Sequence, residues 1–176
     1  ALKKIRQKPD FNILLIVFES LRTQNMQIYG YERETTPFLN SLNRSEPRSL
    51  YIFRKTYSVS TTTMLAIPAI LTGVTPEQPG VFYKTMPFVW EYAEMMNYHT
   101  FFISSHSMYW YRFDRYYSLN KPVFFWNKDT SGLPSFNDIG IDDRLTVQML
   151  NSHIQEIRHK PFFGVLQFNA THFPYN

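Results

Sequence analysis

Asn12-Ile13-Leu14-Leu15-Ile16-Val17-Phe18-Glu19-Ser20 sets six apolar residues in a row directly before a carboxylate. Its apolar run is continuous rather than alternating, as expected of a strand buried on both faces of a parallel sheet. The run ends on a carboxylate. In open α/β sheets the carboxyl ends of strands gather functional groups, so Glu19 is placed where chemistry is expected.

Outward from this stretch, Thr100–Ser104 (TFFIS) and Phe162–Phe168 (FFGVLQF) read as further apolar strands, and Leu50–Tyr57 (LYIFRKTY) alternates like another. Helices are expected between them. Thr36 and Pro37 open a short one, with threonine as cap and proline where no amide donor is needed. Thr62–Thr72 reads as a helix closed by Gly73, and Pro68 inside it predicts either a start near Ala66 or a kink. Met86–Met96 is a third helix, residues 105–140 read as irregular, and Asp142–Arg158 is the clearest helix. Two aspartates stand at its positive end, and Leu145, Met149, Leu150, Ile154 and Ile157 form an apolar stripe. Strands alternating with helices give an α/β fold, a three-layer α/β/α sandwich around a mostly parallel sheet.

Composition narrows the function classes. The chain has 176 residues, 44% of them apolar and 18% aromatic, enough to bury a full core and too apolar for disorder. No apolar run approaches the roughly 20 residues that span a bilayer. Zero cysteines exclude disulfides, thiolate metal sites and a cysteine nucleophile. The net charge of +4 comes from Lys3, Lys4, Arg6 and Lys8, and the remainder holds 14 basic and 14 acidic residues. A nucleic-acid binder would spread its cations over a face, so no nucleic-acid partner is expected. Residues 1–10 read as a basic leader or linker, suited to an anionic membrane surface or simply solvated.

Four expected strand ends carry candidate groups: Glu19-Ser20, Ser58-Val59-Ser60-Thr61-Thr62-Thr63, Ser104-Ser105-His106 and Thr171-His172. Each has a bland reading alone, as a helix cap, a capped loop or a hydrogen-bonded structural histidine. Their convergence on one edge brings together a carboxylate, a hydroxyl at a helix start and two imidazoles. Asp142 and Asp143 read as helix-start carboxylates.

The order of these pieces resembles the alkaline-phosphatase/sulfatase superfamily. The resemblance rests on Asn12–Arg22, Tyr29-Gly30-Tyr31, Thr35–Leu39, Ile70–Gly73, Asn97–Thr100, Phe113-Asp114 and His172-Phe173-Pro174-Tyr175, from about residue 11 to the last residue. It implies a divalent metal, zinc or manganese first, with calcium or magnesium as alternatives, and an alcohol-type nucleophile attacking phosphorus or sulfur. Counting back from Thr72-Gly73 places Thr63 at the nucleophile position. The Pro, Ser and Arg of the formylglycine sulfatases are absent, and a threonine cannot become formylglycine. The threonine-nucleophile branch of phosphoethanolamine transferases and lipoteichoic acid synthases is the closer pattern. There Glu19 and Thr63 would hold the metal, Thr63 would attack, and Trp110, Arg112, His106 and His172 would contact the substrate.

The resemblance implies a metal-dependent phosphotransferase or hydrolase acting on a phosphate ester of a lipid head group or glycan. It would be extracytoplasmic and tethered to a membrane through segments outside residues 1–176. The substrate would carry phosphate or sulfate. The alternatives are a phosphatase, phosphodiesterase or atypical sulfatase, or a non-catalytic relative that binds lipid or protein. The family completes its metal site with an Asp-His pair that this sequence lacks. Residues 11–176 are therefore expected to be the N-terminal part of the catalytic domain, holding metal weakly, inactive alone, and open to self-association along an incomplete sheet.

Overall fold

A computed structural model describes residues 9–79, 85–118, 120–137 and 139–173. The basic residues Lys3, Lys4, Arg6 and Lys8 lie outside the described residues, as do Pro174 and Tyr175. The chain divides into two compact units, Ser20–Ser58 and the remainder.

The larger unit carries the sheet. Strands β1 (Ile13–Phe18), β2 (His99–Ser104), β3 (Phe124–Trp126) and β4 (Phe162–Phe168) run parallel in the order β1-β4-β2-β3. Helices cover both faces. One face packs α2 (Thr63–Thr72), α3 (Val89–Met95) and α4 (Phe113–Tyr117) through Leu71, Trp90 and Tyr117 onto Phe102 and Val165. The other packs α6 (Asp143–Ile157) through Leu150 and Ile157 onto Phe101, Ile103 and Leu166. Each such large side chain, removed from water, contributes about 1.5–3 kcal/mol. The α5 helix (Lys128–Ser131) is a single turn after β3. The fold is therefore the expected α/β architecture with a parallel sheet.

Three local expectations are corrected. β1 is an edge strand, and Leu14, Ile16 and Phe18 keep 38–47% exposure on the α6 face, so the doubly buried strands are β4 and β2. Leu50–Tyr57 forms no strand: alternation specifies a strand only where a ladder partner exists, and Tyr51, Phe53 and Tyr57 all face solvent. Conversely, Phe124–Trp126 within the stretch read as irregular pairs with Phe101–Ile103 of β2, and three residues are too few to show a period.

Helix α2 begins at Thr63, ahead of Ala66, with Pro68 accommodated inside and Gly73 at φ 74° closing it. Gly73 supplies a left-handed conformation that a β-carbon would strain. In the smaller unit, α1 (Pro37–Ser45) starts at the proline as expected, but Thr36 makes no side-chain cap. Thr35 Oγ1 instead donates to the Asn25 carbonyl at 2.5 Å.

Two features of the larger unit set its stability. Gly164 leaves room for the Phe101 ring, whose atoms would stand 2.1–2.8 Å from an added β-carbon. Phe101 is fully buried and has nowhere to go. Gly164→Ala should therefore lower unfolding stability by about 1–3 kcal/mol in urea titration, and an unchanged midpoint would contradict this packing.

At the opposite end of the sheet from Glu19, His99 and His153 face each other, Nε2 to Nε2, at 3.0 Å. Burial pushes both imidazoles below their ordinary range; His153 and Lys160 add to the effect on His99, while Glu156 partly opposes it on His153. The unfolded chain then binds more protons below about pH 6.5, so stability is complete above that value and declines as pH falls through it. The melting temperature should drop between about pH 7.5 and about 5, and His153→Phe should shrink the drop. A flat profile would contradict the protonation assignment.

Candidate functional site

The carboxyl ends of β1, β2 and β4 lie side by side, and the expected groups collect there. Glu19 continues β1 for one more rung, its amide donating to the Phe168 carbonyl at 2.9 Å. Ser20 then turns the chain away at φ 58°. The Glu19 side chain is 6% exposed and sits between two donors. Thr63 Oγ1 donates to its Oε2 at 2.7 Å, and Gln167 Nε2 donates to its Oε1 at 2.6 Å. Thr171 Oγ1 donates to the Glu19 carbonyl.

Thr63 is the first residue of α2, after Thr62 in extended conformation. A helix start leaves amides unpaired and favours negative charge nearby. Thr61 and Thr62 are exposed, whereas Thr63 is half-buried against Glu19.

A continuous hydrogen-bond path fixes this carboxylate. The His106 amide donates to Ser104 Oγ at 3.0 Å, Ser104 Oγ donates to Gln167 Oε1 at 3.3 Å, and Gln167 reaches Glu19. Three strands and a helix thereby converge on one carboxyl group. Gln167 was not anticipated from sequence, although a lone amide inside the apolar run FFGVLQF is a detectable signal. A polar side chain buried in a central strand must find partners.

His106 is 2% exposed, and its Nδ1–H donates to the Ser107 carbonyl at 2.7 Å. That bond leaves Nε2 as the lone-pair nitrogen of the neutral ring. Burial pushes its pKa down; the Ser107 carbonyl and Glu19 oppose this, and His172 reinforces it. The two histidines and Glu19 are thus within electrostatic reach of one another. His172 Nδ1–H donates to the Phe173 carbonyl at 2.5 Å.

Trp110 and Arg112 occupy a helical turn after β2, and both are exposed. Arg112 pairs with Asp114 at 3.2 Å. Neither hydrogen-bonds to Glu19, Thr63, His106 or His172 among the described residues. Glu19 and Thr63 are in direct contact, His106 lies within electrostatic reach of Glu19 and of His172, and the Trp110–Arg112 turn follows His106 in the chain.

The two helix-start aspartates differ in kind. Asp142 caps α6 by accepting the Arg144 amide at 2.9 Å. Asp143 accepts Ser105 Oγ, the Asn169 amide at 2.9 Å and the Ala170 amide at 2.8 Å. It therefore ties the ends of β2 and β4 together.

For a metal ion, the chain offers two oxygen donors at this place, Glu19 and Thr63. A buried carboxylate with no Lys, Arg or His within ion-pair distance among the described residues fits a cation. The described residues contain no group of three or more His, Cys, Asp or Glu arranged for a metal. The fit is to part of a coordination shell, since catalytic zinc generally takes three protein ligands and an open position.

Comparison with known proteins supplies the family. The Sulfatase family model matches residues 11–176. Phosphoethanolamine transferase EptC of Escherichia coli K12 is 25% identical over 179 residues, covering 92% of this chain and 31% of its own length. The C-terminal periplasmic domain of that EptC, solved in complex with Zn, superimposes with a TM-score of 0.73 at 20% identity. It covers 96% of this chain and 45% of the solved chain. A protein in the alkaline phosphatase superfamily from Vibrio parahaemolyticus gives a TM-score of 0.76 at 20% identity, covering 98% of this chain and 43% of that one. The chain thus spans about a third of its curated relative's length and under half of each solved domain. The family match over nearly its whole length shows that the chain belongs to the sulfatase family, and its parallel sheet, which delivers a buried glutamate to a helix-start threonine, has the fold of these solved structures.

Proposed function

We propose that this chain belongs to a divalent-metal-dependent phosphotransferase that moves a lipid head-group phosphate through Thr63. The observation that carries the reading is the 2.7 Å bond from the Thr63 hydroxyl to the buried carboxylate of Glu19. That bond aims the hydroxyl hydrogen into Glu19 Oε2 and leaves the oxygen lone pairs directed elsewhere, available to attack.

Glu19 and Thr63 are the oxygens that would hold the metal. When bound, a zinc or manganese ion supplies charge that favours the threonine alkoxide and polarises a phosphoryl oxygen. The zinc complex of the EptC domain supports this choice of ion. The remaining events belong to the chain. Thr63 Oγ bonds to phosphorus as the bond to the leaving oxygen breaks, and the hydroxyl proton, whose nearest acceptor is Glu19 Oε2, ends on that oxygen, which departs as an alcohol. An acceptor hydroxyl then attacks phosphorus, and Thr63 Oγ leaves with a proton restored. His106, His172, Trp110 and Arg112 would contact the substrate. An incoming phosphate anion would raise the proton affinity of His106 Nε2 and turn it into a donor.

The likeness to a phosphoethanolamine transferase and to the periplasmic domain of EptC supports a phosphoethanolamine-type head group and an extracytoplasmic location beside a membrane. No helix among the described residues is long and apolar enough to cross a membrane.

Two tests follow. In the complete enzyme, Thr63→Ala should lower turnover of an ethanolamine phospholipid by roughly a thousandfold or more, Thr63→Ser should retain measurable activity, and Thr61→Ala and Thr62→Ala should stay within about threefold. Full activity in Thr63→Ala would remove the threonine from the chemistry. Glu19→Gln keeps the shape and loses the charge, so calorimetric titration with zinc or manganese should give about tenfold or greater weakening. Unaltered metal affinity in Glu19→Gln would place the ion elsewhere.

A further inference from the structure

The loop that follows His106 is held in a costly conformation by a residue that the proposed chemistry does not use. Tyr111 and Arg112 both adopt left-handed backbone angles, φ 51° and φ 60°. Neither is a glycine, and side chains of this size rarely occupy that region. Two such residues in succession persist only where the surrounding structure over-determines them. Met108 and Phe113 on either side are buried in the core, while Tyr109, Trp110 and Tyr111 all face outward here, so their own rings do not supply the constraint.

Asp129 does. Its Oδ2 accepts the Met108 amide at 2.6 Å and the Tyr109 amide at 3.3 Å. Ser107 Oγ lies 2.9 Å from Oδ1 and 3.1 Å from Oδ2 and donates to the carboxylate. One carboxylate therefore gathers three consecutive residues, immediately after His106 and immediately before Trp110. The carboxylate is itself anchored. Asn127, 1% exposed at the end of β3, accepts the Asp129 amide at 2.8 Å, and its own amide donates to Thr130 Oγ1 at 2.9 Å. The rigid path runs from β3 through Asn127 and Asp129 to the loop. Two backbone bonds complete the fixation: the Ser107 amide to the Ile139 carbonyl at 2.7 Å, and the Asp114 amide to the Met108 carbonyl at 2.7 Å.

We propose that Asp129 is a positioning residue for the transfer reaction, holding His106, Trp110 and Arg112 where they receive the substrate. The proposal rests on the reading of those three as substrate contacts. Asp129 bonds the backbone and Ser107 of the loop, and its charge also favours the protonated form of His106. Without the clamp, the loop relaxes out of its left-handed turn, and substrate affinity falls before the chemical step does. An ångström of misplacement is enough to cost about a hundredfold.

The test compares Asp129→Ala with Asp129→Asn in the complete enzyme, by two readouts. The first is steady-state turnover of ethanolamine phospholipid presented in vesicles. The second is limited trypsin digestion, followed by mass spectrometry of the cut after Arg112. Asp129→Ala should raise KM about tenfold or more with a smaller change in kcat, and should speed the cut by about tenfold. The asparagine oxygen still accepts the Met108 and Tyr109 amides, and its NH2 can donate to Ser107 Oγ. Asp129→Asn should therefore restore both readouts to within about threefold of the unsubstituted protein. Wild-type KM and wild-type cutting in Asp129→Ala would overturn the proposal. So would equal losses in the alanine and asparagine variants that track the folded fraction measured by circular dichroism. If the unsubstituted protein turns over no phospholipid, the reaction reading fails and positioning for it fails with it, while faster cutting in Asp129→Ala alone would still establish the clamp.

Discussion

A carboxylate withdrawn from water with two hydrogen bonds, and with no ion-pair partner among the described residues, is the constraint around which this domain is arranged. Burying an ionised group costs several kcal/mol unless charge or donors compensate it. Glu19 receives Thr63 on one oxygen and Gln167 on the other. The parallel register that pairs Phe18 with Phe168 is what brings Gln167 alongside. The α2 helix delivers Thr63 from the layer that packs against Phe102 and Val165. Sheet register, helix start and amide path are therefore conditions on one another, and all are satisfied at one carboxyl group. Such a group is a poor contributor to stability and a good seat for a cation, which is how a site differs from a core.

The elements legible from sequence were those whose signal is long and local. The apolar runs at 13–18 and 162–168 show the strands, and Asp142–Arg158 shows its helix by stripe and acidic start. Thr63 is singled out by counting back from Thr72-Gly73 along the pattern of the family the chain resembles, and it stands at the first position of α2. Elements that depend on distant partners were not legible. Leu50–Tyr57 alternates correctly and finds no ladder, whereas Phe124–Trp126 is too short to signal and finds one on β2. Asp143 reads as an ordinary helix-start carboxylate, yet its partners Ser105 and Asn169 lie 38 and 26 residues away. The edge position of β1 was equally hidden, since an apolar run does not say how many neighbours it has.

Backbone strain marks the same places independently. Among the described residues, four non-glycine positions have left-handed angles: Ser20, Asn97, Tyr111 and Arg112. Ser20 follows Glu19, and Tyr111 and Arg112 lie on the loop that follows His106. Only Asn97, at the turn before β2, stands at the opposite end of the sheet. Conformations of this kind each cost about 1–3 kcal/mol and are retained where geometry matters more than stability. The strained turns and the buried carboxylate thus describe one edge, stabilised by the aromatic core beneath it.

The central claim is that Thr63 carries the transferred group, and mass spectrometry of acid-quenched protein during turnover of an ethanolamine phospholipid tests it most directly. The account predicts a head-group phosphate adduct on Thr63 that appears within a turnover and is chased by an acceptor hydroxyl. An adduct on Thr61, Ser60 or any histidine, or full turnover with Thr63 never modified, would contradict it.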